Sequence, residues 1–262
     1  MKRIVLFFVV LGIISCKQTE KKEESSEVVV EHAIPASPEF FELRTYYCHP
    51  DKLNNLLNRF NDHTTSLFEK HGMINLGYWV PHDNHENKLV YLLGYQNREE
   101  RDKSWDAFVN DPEWKKVRKA SIANGPIIDS ITNQFLTYTD YSPQLIIENR
   151  GPRIFSLRTY YTFEGKLENL HRRFKDHTLK IFENNGINNI AYFDLDGNEA
   201  GADNTLMYFI TFPDTTAREQ SWKNFGNDPS WKAAYENSIK DGKLVDSLTA
   251  ELFVPTAFSP IK

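Results

Sequence analysis

Two stretches of alternating and helical apolar spacing run through the chain, one beginning near residue 41 and the other near residue 155. In the first, residues 41–47 (Phe41-Glu42-Leu43-Arg44-Thr45-Tyr46-Tyr47) are rich in aromatic and β-favouring types and predict a strand. Leu53, Leu56, Leu57, Phe60, Thr64, Leu67 and Phe68 keep helical spacing, and Gly72 follows as a stop. Residues 75–80 and 89–95 predict two strands joined by a polar turn, and residues 99–108 a second helix. Asp111-Pro112 restarts a short helix, with Asp as N-cap and Pro in the first turn. Residues 130–138 alternate as a last strand.

The second stretch repeats the first. Phe41 to Tyr47 return as Phe155-Ser156-Leu157-Arg158-Thr159-Tyr160-Tyr161, and Asp62-His63-Thr64 as Asp176-His177-Thr178, both 114 residues on. After three inserted residues the spacing is 117. Ser104-Trp105, Asn110-Asp111-Pro112 and Trp114-Lys115 then return as Ser221-Trp222, Asn227-Asp228-Pro229 and Trp231-Lys232. The chain therefore carries two copies of one unit of domain size. The order β-α-β-β-α-β is that of the ferredoxin-like fold, which covers one sheet face with helices and leaves the other bare. The expected class is α+β: two tandem ferredoxin-like units paired sheet to sheet as a pseudo-dimeric α/β barrel. The expected division is residues 1–15 as a signal peptide, 16–39 as a lipidated cysteine and tether, 40–140 as repeat 1, 141–152 as a linker and 153–258 as repeat 2.

The amino end has its own pattern. Met1-Lys2-Arg3 is basic, Ile4 to Ile14 is unbroken apolar, and Ser15-Cys16 closes the run. Eleven residues rise about 16 Å as a helix, short of a bilayer core of roughly 30 Å, so the run reads as a secretory signal. Ile13-Ile14-Ser15-Cys16 resembles the lipobox of bacterial lipoproteins, which implies acylation of Cys16 and a membrane anchor through the acyl chains. By resemblance to the sorting rule for such proteins, Lys17 after the cysteine implies the outer membrane, on its periplasmic or surface face. Residues 17–39 are polar and interrupted by Pro35 and Pro38, a tether reaching about 25 Å as a flexible coil.

Composition narrows the function. The 262 residues hold 31 basic and 36 acidic side chains and 13% aromatics. That is too acidic for a nucleic-acid binder held by bulk charge, too apolar for wholesale disorder, and too poor in cysteine for a disulfide scaffold. Without residues 1–15 the charge becomes −7, from 29 basic and 36 acidic groups, so anionic lipid would repel the body and the acyl chain would have to hold it.

The Leu-Arg-Thr-Tyr strand, the helix bearing Asp-His-Thr, and the Trp followed by Asn-Asp-Pro-x-Trp resemble the NIPSNAP family of the dimeric α/β-barrel superfamily. The resemblance covers nearly everything after residue 40 and implies the ferredoxin-like fold and the paired barrel. It implies little chemistry. Superfamily neighbours include cofactor-free monooxygenases, haem-degrading enzymes and stress proteins, and fold alone does not choose among them. The second-helix histidine of the haem-degrading relatives is absent: the helices carry Trp105 and Trp222 instead, which argues against haem.

Candidate residues follow from strand alternation. Glu42, Arg44 and Tyr46 share one face of the first strand, and Phe41, Leu43, Thr45 and Tyr47 the other. If the apolar set meets the helices, Arg44 and Tyr46, with Arg158 and Tyr160 in the second copy, turn towards the cavity between the units. There a guanidinium beside a phenol can bind a carboxylate or enolate. Alternatively, Arg44 pairs with an acid of the facing sheet and holds the barrel shut. Tyr78-Trp79 and Tyr192-Phe193 alternate, so one aromatic of each pair should face the cavity; Tyr78 and Tyr192 join the candidate ligand residues. His63 and His177 lie on the edge of the buried helical stripe, either as general bases reaching the cavity or as partly buried structural histidines. Trp105, Trp114, Trp222 and Trp231 either stack a flat ligand or serve the core, and the ordinary core spacing of Trp105 with Phe108 favours the core. His82-Asp83-Asn84-His85-Glu86 and residues 194–199 contain metal-ligand types without the spacing of a site, so no metal or other cofactor is expected. Cys48 is expected to be packed.

Two functions fit. One is a membrane-tethered module that binds a small aromatic or amphipathic molecule, or a protein partner, in or near the barrel between the repeats. The other is a cofactor-free monooxygenase or isomerase using the Arg–Tyr pairs to hold an anion and His63 or His177 as base.

Overall fold

The computed structural model describes residues 37–262. Repeat 1 is built from β1 (Phe40–Cys48), α1 (Leu53–Arg59), α2 (Thr65–Lys70), β2 (Ile74–Pro81), β3 (Lys88–Tyr95), α3 (Arg98–Asn110), α4 (Pro112–Ser121) and β4 (Ile128–Tyr138). Repeat 2 follows with β5 (Ile154–Thr162), α5 (Leu167–Arg173), α6 (Leu179–Asn184), β6 (Asn188–Leu195), β7 (Thr205–Phe212), α7 (Thr215–Asn227), α8 (Pro229–Ser238) and β8 (Val245–Pro255). The helix boundaries follow local chemistry. Asn97 and Asp214 accept a backbone N–H at the starts of α3 and α7, while Asp111 and Asp228 cap α4 and α8 ahead of a proline. Gly72 and Gly186, at φ of 79° and 77°, close the first helical stretch of each repeat, where a side chain would be strained.

The eight strands close into one barrel in the order β1-β3-β2-β8-β5-β7-β6-β4. Each repeat supplies four antiparallel strands. The seams between repeats are short: β2 meets β8 over Trp79–Pro81 and Pro255–Phe253, and β4 meets β6 over Leu136–Tyr138 and Leu195–Phe193. The segments after β4 and β8 then cross to the opposite repeat by the same device. Thr139 N and Tyr192 N bond to Tyr192 O and Ser142 Oγ at 3.0 and 2.9 Å. Thr256 N and Tyr78 N bond to Tyr78 O and Ser259 Oγ at 2.9 and 3.0 Å. Each repeat thus clasps its twin.

The two faces of the sheet meet different layers, opposite to the expectation from alternation. Phe41 and Leu43 point into the barrel, where they join Trp79, Val90, Leu92, Phe155, Phe193, Met207, Phe209, Phe253 and Ile261. Trp79 stacks on Phe209 at 5.2 Å, and Phe41 meets Phe193 edge-on at 4.9 Å. The lumen is therefore a packed core. Glu42 and Arg44 instead meet α3, and Tyr46 packs with Phe60 of the first helical stretch. The lumen takes Phe41 and Leu43 among mostly apolar neighbours, whereas the helix layer brings a cation and an indole N–H to the Glu42 carboxylate.

The first helical stretch departs from a plain α-helix. Phe60–Thr64 and Phe174–Thr178 are π-helical, and both contain the Asp-His-Thr motif. Thr64 and Thr178 each donate a hydroxyl to the carbonyl five residues back, Arg59 O and Arg173 O, both at 3.1 Å. Among the described residues, no helix is long and apolar enough to cross a membrane.

Candidate functional site

In repeat 1 the sheet–helix layer holds a charged cluster. Glu42 projects from β1 with its side chain wholly out of solvent. Arg101 of α3 reaches it twice, Nε at 2.9 Å and Nη2 at 2.7 Å, in the forked geometry that suits a carboxylate. Trp105 Nε1, one helical turn on, donates at 2.8 Å, and Arg44 Nη1 donates from the same strand at 2.5 Å. Arg44 also donates Nε to the Tyr91 hydroxyl at 2.9 Å and Nη2 to that of Tyr46 at 3.4 Å, and its guanidinium lies 4.4 Å over the Trp105 ring. Burial alone would raise the Glu42 carboxyl. The hydrogen bonds and charges of Arg101 and Arg44 outweigh it and hold the group below its ordinary value. Burial would likewise weaken Arg44 as a cation, but Tyr91, Tyr46 and Glu42 more than compensate and keep it protonated.

Repeat 2 rebuilds the same frame with different contents. Arg158 donates Nε to Tyr208 at 3.0 Å and Nη2 to Tyr160 at 3.3 Å, and stands 4.7 Å over Trp222. Arg218 occupies the position of Arg101. Ser156, however, stands where repeat 1 has Glu42, Phe212 where it has Tyr95, and Ala250 where it has Asn133.

The candidates from alternation therefore need correcting as to where they face. Arg44, Tyr46, Arg158 and Tyr160 lie between sheet and helices, outside the lumen. Arg44 does pair with an acid, but on its own strand, so it bars no seam. Of the alternating aromatics, Trp79 and Phe193 enter the lumen. Tyr78 and Tyr192 face the helices, donate to Asn75 Oδ1 and Asn189 Oδ1, and stack on Tyr91 and Tyr208. His63 and His177 are exposed and do not reach the lumen, because the π turns direct Thr64 and Thr178 inward instead.

Three openings lie on the helix side. His63, Asp62 and Arg59 border a groove of about 490 Å³ between α1 and α4, and His177, Asp176 and Arg173 border its counterpart of about 220 Å³. A third opening, of about 370 Å³, is walled by Tyr160, Trp231, Tyr235, Ile239 and Leu248, with Arg173 at its base. Arg173 is buried, lies 5.3 Å over Trp231, and keeps an Nε–H with no partner among the described residues. Neither histidine converges with Arg44 or Arg158. Among the described residues, no group of three or more His, Cys, Asp or Glu side chains is placed to hold a metal ion.

Sequence reading missed Arg101, Arg218, Tyr91, Tyr208 and Tyr95, and gave Glu42 no role. One signal was available: the two repeats keep both arginines and the tryptophan in register, while Glu42 is exchanged for Ser156.

The NIPSNAP family profile matches residues 41–143 and again 155–260, both repeats and most of the chain. The chain belongs to the NIPSNAP family. Protein NipSnap homolog 3B of Mus musculus is 26% identical over 230 residues, covering 85% of this chain and 86% of the mouse protein. A NIPSNAP-like domain protein of Burkholderia xenovorans is 22% identical over 42% of this chain and 93% of its own, with a TM-score of 0.38. Two structures span both repeats. An anthrone oxidase-like protein covers 87% of this chain and 95% of its own at a TM-score of 0.53 and 12% identity. A provisionally named monooxygenase of Fusobacterium nucleatum covers 87% and 99% at 0.52 and 11%. At these identities the likeness is one of fold, the dimeric α/β barrel made here by a single chain.

Proposed function

We propose that this NIPSNAP protein is a binding module, held at the bacterial envelope by acyl chains on Cys16, that takes a small amphipathic aromatic molecule between sheet and helices. With the lumen packed, the cleft of repeat 2 carries this reading: three aromatic rings wall it, and a buried guanidinium with an unused N–H lies at its base. Such a cleft would hold a ring by its faces and one acceptor atom by Arg173. Cys16 lies outside the described residues, so the anchor rests on the lipobox resemblance.

The neutral probe 2-naphthol tests the cleft. Added to the body expressed from Lys17, it should quench tryptophan fluorescence saturably near one equivalent, and Tyr235→Asp should weaken that binding about tenfold. No saturable quenching, or quenching indifferent to Tyr235→Asp, refutes the reading. For the anchor, Cys16→Ser should move the full chain from the membrane fraction to the soluble one; a wild type already soluble rejects it.

The shared fold of the anthrone oxidase-like protein favours a second reading, cofactor-free oxygenation of an enolisable aromatic. Oxygen uptake with anthrone as probe tests it. That reaction needs a base beside the ring, and neither His63 nor His177 lies among the residues that wall the aromatic cleft.

A further inference from the structure

The difference between the two repeats defines a second site. In repeat 1 the Glu42 carboxylate is the acceptor on which Arg44, Arg101 and the Trp105 indole converge. Repeat 2 retains every one of those donors, as Arg158, Arg218 and Trp222, and lacks the acid. The frame has not closed over the loss. Trp222 sits 5.6 Å from Phe225 and 5.6 Å from Phe182, against 5.6 and 5.5 Å for Trp105 with Phe108 and Phe68. Arg158 stands off its tryptophan by 4.7 Å where Arg44 stands at 4.4 Å.

The donors are left over. Trp222 Nε1, Arg218 Nε and the wholly buried Ser156 Oγ are all out of solvent and without a hydrogen-bond partner among the described residues. Buried donors are rarely left so, and each one costs free energy. In charge, the repeat-1 cluster sets two guanidinium groups against the buried Glu42 carboxylate, with the more exposed Asp102 also on Arg101. In repeat 2, among the described residues, neither Arg158 nor Arg218 forms an ion pair through its side chain, so two positive charges face no acid.

We propose that repeat 2 binds a small organic carboxylate, of formate to acetate size, at the position that the Glu42 carboxylate fills in repeat 1. Glutamate exceeds serine by three heavy atoms, the number in formate, and Ala250 in place of Asn133 leaves room for a methyl group. Ala250 is exposed, so the site opens over β8. The anion accepts from Trp222 Nε1, Arg218 and Ser156 Oγ, and Arg158 supplies the second charge. Ser156 is the specificity-determining residue: an acid there would occupy the site from within. The site adjoins the aromatic cleft through Tyr160 but uses other donors, Trp222, Arg218 and Ser156 in place of Arg173, so the Trp222 indole resonance tells the two apart.

Acetate titrated into the body expressed from Lys17 tests this, with chloride at equal ionic strength and acetamide as the neutral isostere. Acetate should raise the melting temperature saturably where chloride and acetamide do not. It should also move one indole N–H resonance downfield, the one missing from Trp222→Phe. That variant keeps a ring and loses one donor, and should bind acetate about tenfold more weakly. Ser156→Glu should fold without added carboxylate, melt above the wild type and give no acetate response. Equal effects of acetate and chloride on the wild type overturn the proposal. So does a Ser156→Glu protein that responds as the wild type does, or an indole shift at a tryptophan other than Trp222.

Discussion

Replacing Glu42 by alanine tests the charged layer of repeat 1 directly. The substitution leaves Arg44, Arg101 and the Trp105 N–H facing one another with no acceptor, in a place where the lost carboxylate had no solvent contact. Removing one partner of a buried, hydrogen-bonded ion pair costs about 3–5 kcal/mol, because the opposite charge stays behind. For a body of this length, about 3–5 kcal/mol corresponds to a fall in melting temperature on the order of 6–20 °C. The pH dependence has a definite sign. The folded carboxyl titrates below the unfolded one, so its stabilising effect is complete above about pH 4.3 and is lost as pH falls through the folded value. Thermal unfolding followed by circular dichroism at pH 7, and at steps downward from pH 5, should therefore show a gap between wild type and Glu42→Ala that narrows with acid. A loss under about 1 kcal/mol at pH 7 would match an exposed pair and refute the buried cluster, and so would a gap that stays constant with pH.

Three further outcomes follow from the packing. Burial pushes the Cys48 thiol up to about 11, with Arg59 pulling only weakly the other way, so in the body expressed from Lys17 it should ignore a thiol-disulfide reagent at pH 8 and react with one equivalent in guanidinium. Gly77→Ala would set a Cβ 2.1 Å from Trp79 Cη2 and 2.8 Å from Ile261 Cγ2, an overpacking of about 1–3 kcal/mol by denaturant unfolding; Trp79→Phe should recover most of it, since repeat 2 pairs Ala191 with Phe193. His63→Ala and His177→Ala remove exposed rings and should each change stability by less than about 0.5 kcal/mol, and a larger loss would show a packing role that their exposure does not suggest.

Much of this architecture can be read in one dimension. Strand and helix positions followed from apolar spacing to within a few residues: residues 75–80 were expected as a strand that runs Ile74–Pro81, and residues 99–108 as a helix that runs Arg98–Asn110. Asp111, Pro112 and Gly72 marked their helix ends because caps and turn glycines act through neighbouring backbone. The π turns at Phe60 and Phe174 were not legible, since Phe60, Thr64, Leu67 and Phe68 fit plain helical spacing as well. The crossing of residues 139–142 and 256–259 to the opposite repeat also escaped, because its bonds join Ser142 to Tyr192 and Ser259 to Tyr78 across long sequence separations.

The candidate site divides along the same line. Local order in the chain determined that Glu42, Arg44 and Tyr46 share a face, that the unit occurs twice, and that Ser156 replaces Glu42 in the second copy. Only the closed barrel decided which face turns inward. In a sheet buried on both sides, alternation separates two sets of residues without ordering them. The choice is made by the partners that arrive from elsewhere: Phe193 and Phe209 from the other repeat for Phe41 and Trp79, and Arg101 and Trp105, roughly sixty residues on, for Glu42. A charge can be buried only where its counter-charges converge, and that convergence belongs to the fold.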